Sequence, residues 1–302
     1  MNSTKADKRP VFLAAGGTGG HLFPAQSLAE ELQARGQDVI LLTDARGKKY
    51  DGLFPAQDVY EIPSSTLSPR RPIAAMKGLF LLMKGYLKSR KLIEDYDPSI
   101  IVGFGGYPSL PPLVAARASN LPVCLHEQNA VLGRANRFAA GWCRLLATSF
   151  EKVSRVPALP KGKTHYVGNP VRTAVLKYEK KPYQAPNAKA KFRLLVFGGS
   201  QGASVFSDVV PKAIKELPKP VLSKLHITQQ VHEKDVKRVE KAYDKLGVQA
   251  DCAPFFENMP SLMAKSHLIL SRAGASTIAE LALIGRPAIL VPLPGSLDQD
   301  QA

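Results

Sequence analysis

The chain has 302 residues, 45% hydrophobic and 22% charged, which is long enough for two domains with separate cores and too apolar for a disordered chain. Lys and Arg outnumber Asp and Glu by 41 to 25, a formal net charge of +16, so the favoured partners are anionic: nucleotides, nucleic acid or an acidic membrane surface. No nucleic-acid-binding motif accompanies the charge, no apolar run approaches the ~20 residues of a membrane span, and Cys124, Cys143 and Cys252 match no metal or disulfide spacing.

Lys5, Lys8 and Arg9 precede an apolar run, Val11 to Ala15, that is too short for a signal peptide. This run reads as the first strand. It opens into a glycine cluster, Gly16, Gly17, Gly19 and Gly20 around Thr18, where left-handed backbone angles and close approach of N–H groups to a phosphate are expected. A helix from Pro24 to Ala34 adds the positive end of its dipole, and His21 stands at the mouth of the loop. Gly17-Thr18-Gly19 has Leu22 where a dinucleotide fingerprint needs its third glycine. Asp44, after a strand at 39–42, keeps a ribose-binding alternative open.

Further along, a helix at about 73–92, a strand at 100–102, a helix at 110–118 and a strand at 122–125 continue the alternation of a parallel sheet covered by helices. Ligands bind at the carboxyl ends of such strands, where GFGGYPS (103–109) and HEQN (126–129) follow. Residues 62–93 contain no acid. Within them Met76, Leu79, Phe80, Met83 and Leu87 recur at helical spacing among lysines and arginines. Such a helix either buries that apolar face in its own domain or lies on an anionic membrane. In VGNPVR (167–172), Asn169-Pro170 makes a turn and Arg172 carries the forked, permanent charge that suits phosphate.

Tyr178 to Lys191 is rich in lysine and proline and reads as a linker, giving domains at 1–177 and 192–302 on either side of 178–191. Beyond it the opening pattern returns: a strand at 192–197, the glycine loop GGSQGA (198–203), and a helix at 205–217. Strands at 225–228, near Val248, at 268–270 and at 288–291 alternate with helices at 233–245, 258–264 and 277–284. In Thr277-Ile278-Ala279-Glu280 a capping box competes with a ribose-binding carboxylate. The spacing of His165, His226, His232 and His267 suggests no metal site. A sheet ending soon after Val291 leaves one face uncovered, so a truncated C-terminal end is expected.

Six motifs then identify a resemblance covering essentially the whole chain. GGTGGHLFPA, GFGGYPS, HEQNAVLGRANR, VGNPVR, VFGGSQGA and SRAGASTIAEL stand in the order and approximate spacing of the MurG family of bacterial glycosyltransferases. The resemblance implies an α/β GT-B fold: two Rossmann-like, doubly wound parallel-sheet domains facing a cleft. It implies a hexosyltransferase of peptidoglycan synthesis, making an inverting transfer of N-acetylglucosamine from UDP-N-acetylglucosamine to the 4-hydroxyl of the N-acetylmuramoyl unit of lipid I, with no metal or cofactor. By motif matching, Thr18, Gly19, Gly20, Asn129, Arg172 and Ser200 line the cleft, and Phe256 lies beside the uracil. Ala275, Ser276, Thr277, Ile278, Ala279 and Glu280 hold nucleotide and sugar, and Gln301 of Asp298-Gln299-Asp300-Gln301 contacts the sugar. His21 is the candidate general base, with fixing of the glycine loop as its alternative role. The implied setting is peripheral, on the cytoplasmic face of the plasma membrane, with cell-wall synthesis proteins as candidate partners and no nucleic acid. Another GT-B transferase, such as one acting on diacylglycerol, and a non-catalytic membrane scaffold are the competing readings.

Overall fold

The computed structural model describes residues 8–49, 51–52, 54–65, 72–187, 190–198 and 204–294. The chain forms two compact units that meet in sequence between Arg172 and Thr173.

The first unit runs β1 (Val11–Ala14), α1 (Gly19–Ala34), β2 (Val39–Thr43), α2 (Ala45–Lys48), β3 (Asp58–Glu61), α3 (Pro72–Tyr96), β4 (Ile100–Gly103), α4 (Leu110–Ala118), β5 (Val123–Glu127), α5 (Arg134–Ala140), β6 (Leu145–Thr148) and β7 (Thr164–Tyr166). Its strands make one sheet in the order β3-β2-β1-β4-β5-β6-β7, every pair parallel. Parallel strands need both faces covered, which is why the central strands β1, β2 and β4 read as near-continuous apolar runs. Phe12, Ala14, Ile40 and Leu42 join a core on one face, and Val11, Leu13, Val39 and Leu41 join a second core on the other. Burying each of the larger side chains stabilises the sheet by about 2 kcal/mol. The strand order reverses between β1 and β4, the switch point where open α/β sheets bind ligands.

One local expectation is corrected: α1 begins at Gly19, not at Pro24, and carries Pro24 in its second turn. Proline offers no N–H to the carbonyl four residues back, but that carbonyl belongs to Gly20, which is exposed to water. Of the two alternatives open for α3, burial of its large apolar residues in its own domain is not what is found. Gly78, Gly85, Ser89, Leu92 and Ile93 face inward, while Met76 is 73% exposed, Leu79 and Phe80 each 59%, Met83 53% and Leu87 58%. The small side allows close packing: a Cβ on Gly85 would overlap the Pro63 carbonyl oxygen and press on Pro111.

The second unit runs α6 (Thr173–Leu176), β8 (Phe192–Phe197), α7 (Ser204–Lys215), α8 (Lys219–Leu222), β9 (Leu225–Gln230), α9 (Val236–Asp244), β10 (Gln249–Ala253), α10 (Met259–Lys265), β11 (Leu268–Arg272), α11 (Ala275–Ile284) and β12 (Ala288–Val291). Its five parallel strands are ordered β10-β9-β8-β11-β12, with the reversal between β8 and β11. Within this unit Arg286 ties down part of the 178–191 segment. Its guanidinium, 8% exposed, donates to the carbonyls of Ala264 at 2.8 Å and of Lys181 and Pro182 at 3.4 Å, while Tyr183 Oη donates to His267 O at 3.1 Å.

Candidate functional site

In the first unit the glycine loop and the loop after β4 meet at the switch point. Gly16 N donates to Gly105 O at 3.2 Å, and Phe104 N to Ala14 O at 2.8 Å. None of Gly16, Gly17, Gly19 and Gly20 has a positive φ; the left-handed residues are Gly105 (φ 87) and Gly106 (φ 76) across the gap. The opening glycines serve close approach instead. A Cβ on Gly17 would overlap Asp44 Oδ1 and Gly47 N, and a Cβ on Gly16 or Gly106 would lie 3.1 or 2.9 Å from His21 Cδ2. The imidazole of His21 is thus seated over bare backbone from both loops.

Thr18 caps α1 in an extended conformation without a side-chain hydrogen bond, and no acid occupies the first turn. Its carbonyl accepts from His21 N at 3.0 Å and Leu22 N at 2.9 Å, which places His21 in the first helical turn. Arg172 lies beside the same helix, its guanidinium carbon 4.1 Å from the Phe23 ring centroid, so a phosphate-sized anion near the start of α1 would meet both the dipole and a fixed cation. Asp44 is not available to a ribose. It accepts from Arg46 N at 3.1 Å, Gly47 N at 3.2 Å, Arg46 Nε at 2.9 Å and Arg46 Nη2 at 2.7 Å.

The first half of the HEQN segment is strand, since β5 continues to Glu127. Its polar residues form an interior network that spacing alone does not disclose. Glu127, 2% exposed, accepts from Asn129 N at 3.1 Å, Asn129 Nδ2 at 3.3 Å, Gly133 N at 2.9 Å and Asn136 Nδ2 at 2.9 Å. Burial pushes this carboxyl up and those donors pull it back down. Glu127 therefore clamps the turn into α5, and Asn129 directs its amide N–H into that clamp, leaving Oδ1 as the atom it can turn toward a ligand. His126 is 4% exposed. Burial lowers its pKa to about 4, against the weaker upward pull of its hydrogen bond to Gly168 O. Gln128 bridges it to the glycine loop: Gln128 Nε2 lies 3.0 Å from His126 Nδ1, and Gln128 Oε1 lies 3.3 Å from His21 Nδ1. Sequence reasoning passed over Gln128, whose only signal was its place inside HEQN.

In the second unit Gly274 caps α11 with no side-chain hydrogen bond. The capping box is absent, because the helix starts at Ala275 and places Thr277 inside its first turn. Ala275, Ser276, Thr277, Ile278 and Ala279 are half-buried around that N-terminus, and Glu280 is 6% exposed in the following turn. Ser276 Oγ and Arg272 Nε are buried and meet no partner among the described residues. Arg272, also missed in the sequence, leaves β11 with its guanidinium 5.1 Å from the Phe206 ring centroid and Nη1 donating to Pro292 O at 2.9 Å. Phe256 lies half-buried after β10. Ser200 and Gln301 lie outside the described residues. Among the described residues no cluster of three or more His, Cys, Asp or Glu could hold a metal ion.

Comparison with known proteins extends this geometry. Residues 11–148 match the glycosyltransferase family 28 N-terminal domain, and residues 193–302 match the family 28 C-terminal domain. The chain belongs to glycosyltransferase family 28. A relative from Methylobacterium sp. (strain 4-46) is 50% identical over 293 residues, spanning 97% of this chain and 79% of the relative. Another, from Brucella canis (strain ATCC 23365 / NCTC 10854 / RM-666), is 50% identical over 297 residues, 98% of this chain and 78% of its own. Both are named UDP-N-acetylglucosamine--N-acetylmuramyl-(pentapeptide) pyrophosphoryl-undecaprenol N-acetylglucosamine transferase. A crystal structure of MurG from Acinetobacter baumannii aligns with a TM-score of 0.70 at 28% identity, covering 96% of this chain and 81% of that one. A UDP-glucosyltransferase from Polygonum tinctorium shares the fold, with a TM-score of 0.68 at 14% identity, 98% of this chain and 82% of its own. The family 28 chain thus has the two Rossmann-like α/β domains of the GT-B class.

Proposed function

We propose that this family 28 chain transfers N-acetylglucosamine, with inversion, from UDP-N-acetylglucosamine to the 4-hydroxyl of the N-acetylmuramoyl unit of lipid I, forming lipid II. The observation that carries the reading is half-identity, across both family domains, to relatives named for that transfer. In the proposed mechanism His21 Nε2 takes the proton of the acceptor 4-hydroxyl as its oxygen attacks the anomeric carbon from the face opposite the diphosphate. The bond from that carbon to the diphosphate oxygen breaks, and UDP leaves with the electron pair. The N-terminus of α11, with the N–H groups of Ala275 to Thr277, supports the negative charge on the diphosphate. Glu280 accepts from the ribose hydroxyls, Phe256 packs beside the uracil, and Arg172 with the start of α1 attracts phosphate.

Membrane attachment belongs to the same proposal. No described helix is long and apolar enough to cross a membrane, yet α3 turns Met76, Leu79, Phe80, Met83 and Leu87 outward among Lys77, Lys84, Lys88 and Lys91. Such a face fits an anionic bilayer surface, apolar side chains among acyl chains and cations among headgroups. That reading places the enzyme on the cytoplasmic face of the plasma membrane, beside its lipid-linked acceptor.

Titrating the chain with UDP-N-acetylglucosamine, with UDP-glucose and NADPH as competitors, tests the donor assignment. Selective binding of the N-acetylglucosamine donor that is lost in Glu280→Ala is expected. Binding displaced by NADPH, or unchanged in Glu280→Ala, refutes the donor site as drawn.

A further inference from the structure

We propose that Gln128 is the positioning residue for His21: its side-chain amide, anchored on His126, holds the His21 proton on Nδ1 and so presents Nε2 as the basic nitrogen. This rests on His21 being the base in the transfer proposed above.

The hydrogen assignments follow from the partners at the far end of the relay. His126 Nε2 lies 3.2 Å from the Gly168 carbonyl oxygen. A carbonyl only accepts, so Nε2 carries the hydrogen. Buried and neutral, His126 then has a lone pair on Nδ1, and what approaches Nδ1 must be a donor.

The amide of Gln128 supplies it, and its orientation is fixed twice. The atom 3.0 Å from His126 Nδ1 is also 3.1 Å from the His126 carbonyl oxygen. Both are acceptors, so this atom is the NH2, with one hydrogen for each. The opposite orientation would set an amide oxygen against a carbonyl oxygen and a lone pair inside a buried site, where unmet polar groups are costly.

With the nitrogen committed to His126, Gln128 Oε1 faces His21 Nδ1 at 3.3 Å. An amide oxygen only accepts, so His21 Nδ1 carries the hydrogen and Nε2 the lone pair. The polarity runs unbroken from Gly168 through His126 and Gln128 to His21, elements far apart in sequence. The same amide oxygen favours the imidazolium that forms when Nε2 takes a proton, since Nδ1–H remains bonded to it. This is an uncharged counterpart of the carboxylate that orients histidine in hydrolytic triads.

The proposal is tested on the full chain labelled with 15N at its six histidines, the His21 signals being assigned by their loss in His21→Ala. Long-range 15N–1H spectra above neutral pH are expected to show protonated Nδ1 and unprotonated Nε2 for His21. Gln128→Met, close in volume but without an amide, should shift His21 toward the mixed tautomers of free imidazole. Gln128→Glu keeps an acceptor for His21 Nδ1 but sets a carboxylate oxygen against the His126 lone pair and carbonyl, so it should hold the His21 proton on Nδ1 while lowering the stability of the first unit. In lipid I transfer, kcat should fall roughly tenfold or more in Gln128→Met, with the KM for UDP-N-acetylglucosamine little changed. A His21 spectrum unchanged in a folded Gln128→Met overturns the positioning role. The spectra need no turnover. If His21→Ala transfers at the native rate while the tautomer shift is seen, the reading of His21 as base has failed and the hold of Gln128 on it stands.

Discussion

Acidification should weaken the first unit through His126, and the size of the effect can be worked from its surroundings. In the unfolded chain the imidazole protonates near 6.5, whereas burial lowers the folded value to about 4. Between those values the unfolded state binds more protons, so stability falls as pH falls through the window. Two and a half pKa units separate the states. Moving from pH 7 to pH 5 should therefore cost about 2 kcal/mol at this one site. Glu127, pushed up by burial, acts with the opposite sign, contributing stability that is lost as pH rises through its folded value. The comparison must therefore be made against His126→Gln, which keeps Glu127 and removes only the imidazole. Trp142 is the chain's single tryptophan and packs against the first unit's core, so urea unfolding followed by its fluorescence reports that unit. The free-energy gap between wild type and His126→Gln should narrow by about 2 kcal/mol from pH 7 to pH 5. Equal pH dependence in the two proteins would refute the assignment of His126 as a neutral buried group, and with it the hydrogen assignments of the relay.

Two other substitutions probe the glycine loop and α3. Gly17→Ala should destabilise the first unit by about 1–3 kcal/mol, because its Cβ would overlap Asp44 Oδ1 and Gly47 N; a native Trp142 unfolding midpoint in this variant would contradict the close approach described. Leu79→Ser combined with Phe80→Ser removes two outward apolar groups without touching the inward glycine face, so thermal stability should hold while sedimentation with phosphatidylglycerol vesicles falls. Undiminished sedimentation would sink the proposed role of α3.

What could be read in the sequence was local periodicity and punctuation. The strands at 39–42 and 192–197 are apolar runs bounded by turn residues, and their parallel pairing follows from the helices between them. The short elements β3, α5, β6 and β7 escaped because a few residues carry too little pattern to separate strand from loop. Pro24 misdirected the start of α1: proline marks a first turn statistically, but here an exposed glycine carbonyl tolerates the missing donor. The periodicity of α3 was plain, but which side faced the protein was not. That depended on Gly85, whose lack of a side chain lets the helix approach the Pro63 carbonyl. Motif matching could name His21, Asn129 and Arg172. It could not disclose that Asn129 turns its amide to Glu127, or that Gln128 joins His126 to His21, which lies 107 residues before Gln128.

The two units apply one scaffold to different chemical tasks. Each places a glycine-bearing turn and an uncapped helix start beside the reversal of a parallel sheet, which supplies N–H groups and a positive dipole without a charged side chain. In the first unit the helix start carries a histidine, held over bare backbone and tied to a buried amide, an arrangement suited to moving one proton. In the second it carries a serine hydroxyl with no partner among the described residues and, one turn on, the buried carboxylate of Glu280, groups suited to a diphosphate and a diol. Exchange of these roles would misplace both functions. A carboxylate in the first turn of α1 would draw on the dipole for its own stability and repel phosphate. A histidine in place of Glu280 offers one acceptor nitrogen where a vicinal diol presents two donors. On the proposed reading, the residues at the two helix starts separate proton transfer from nucleotide retention, as a transferase needs when UDP must leave with one more negative charge and its acceptor must lose a proton.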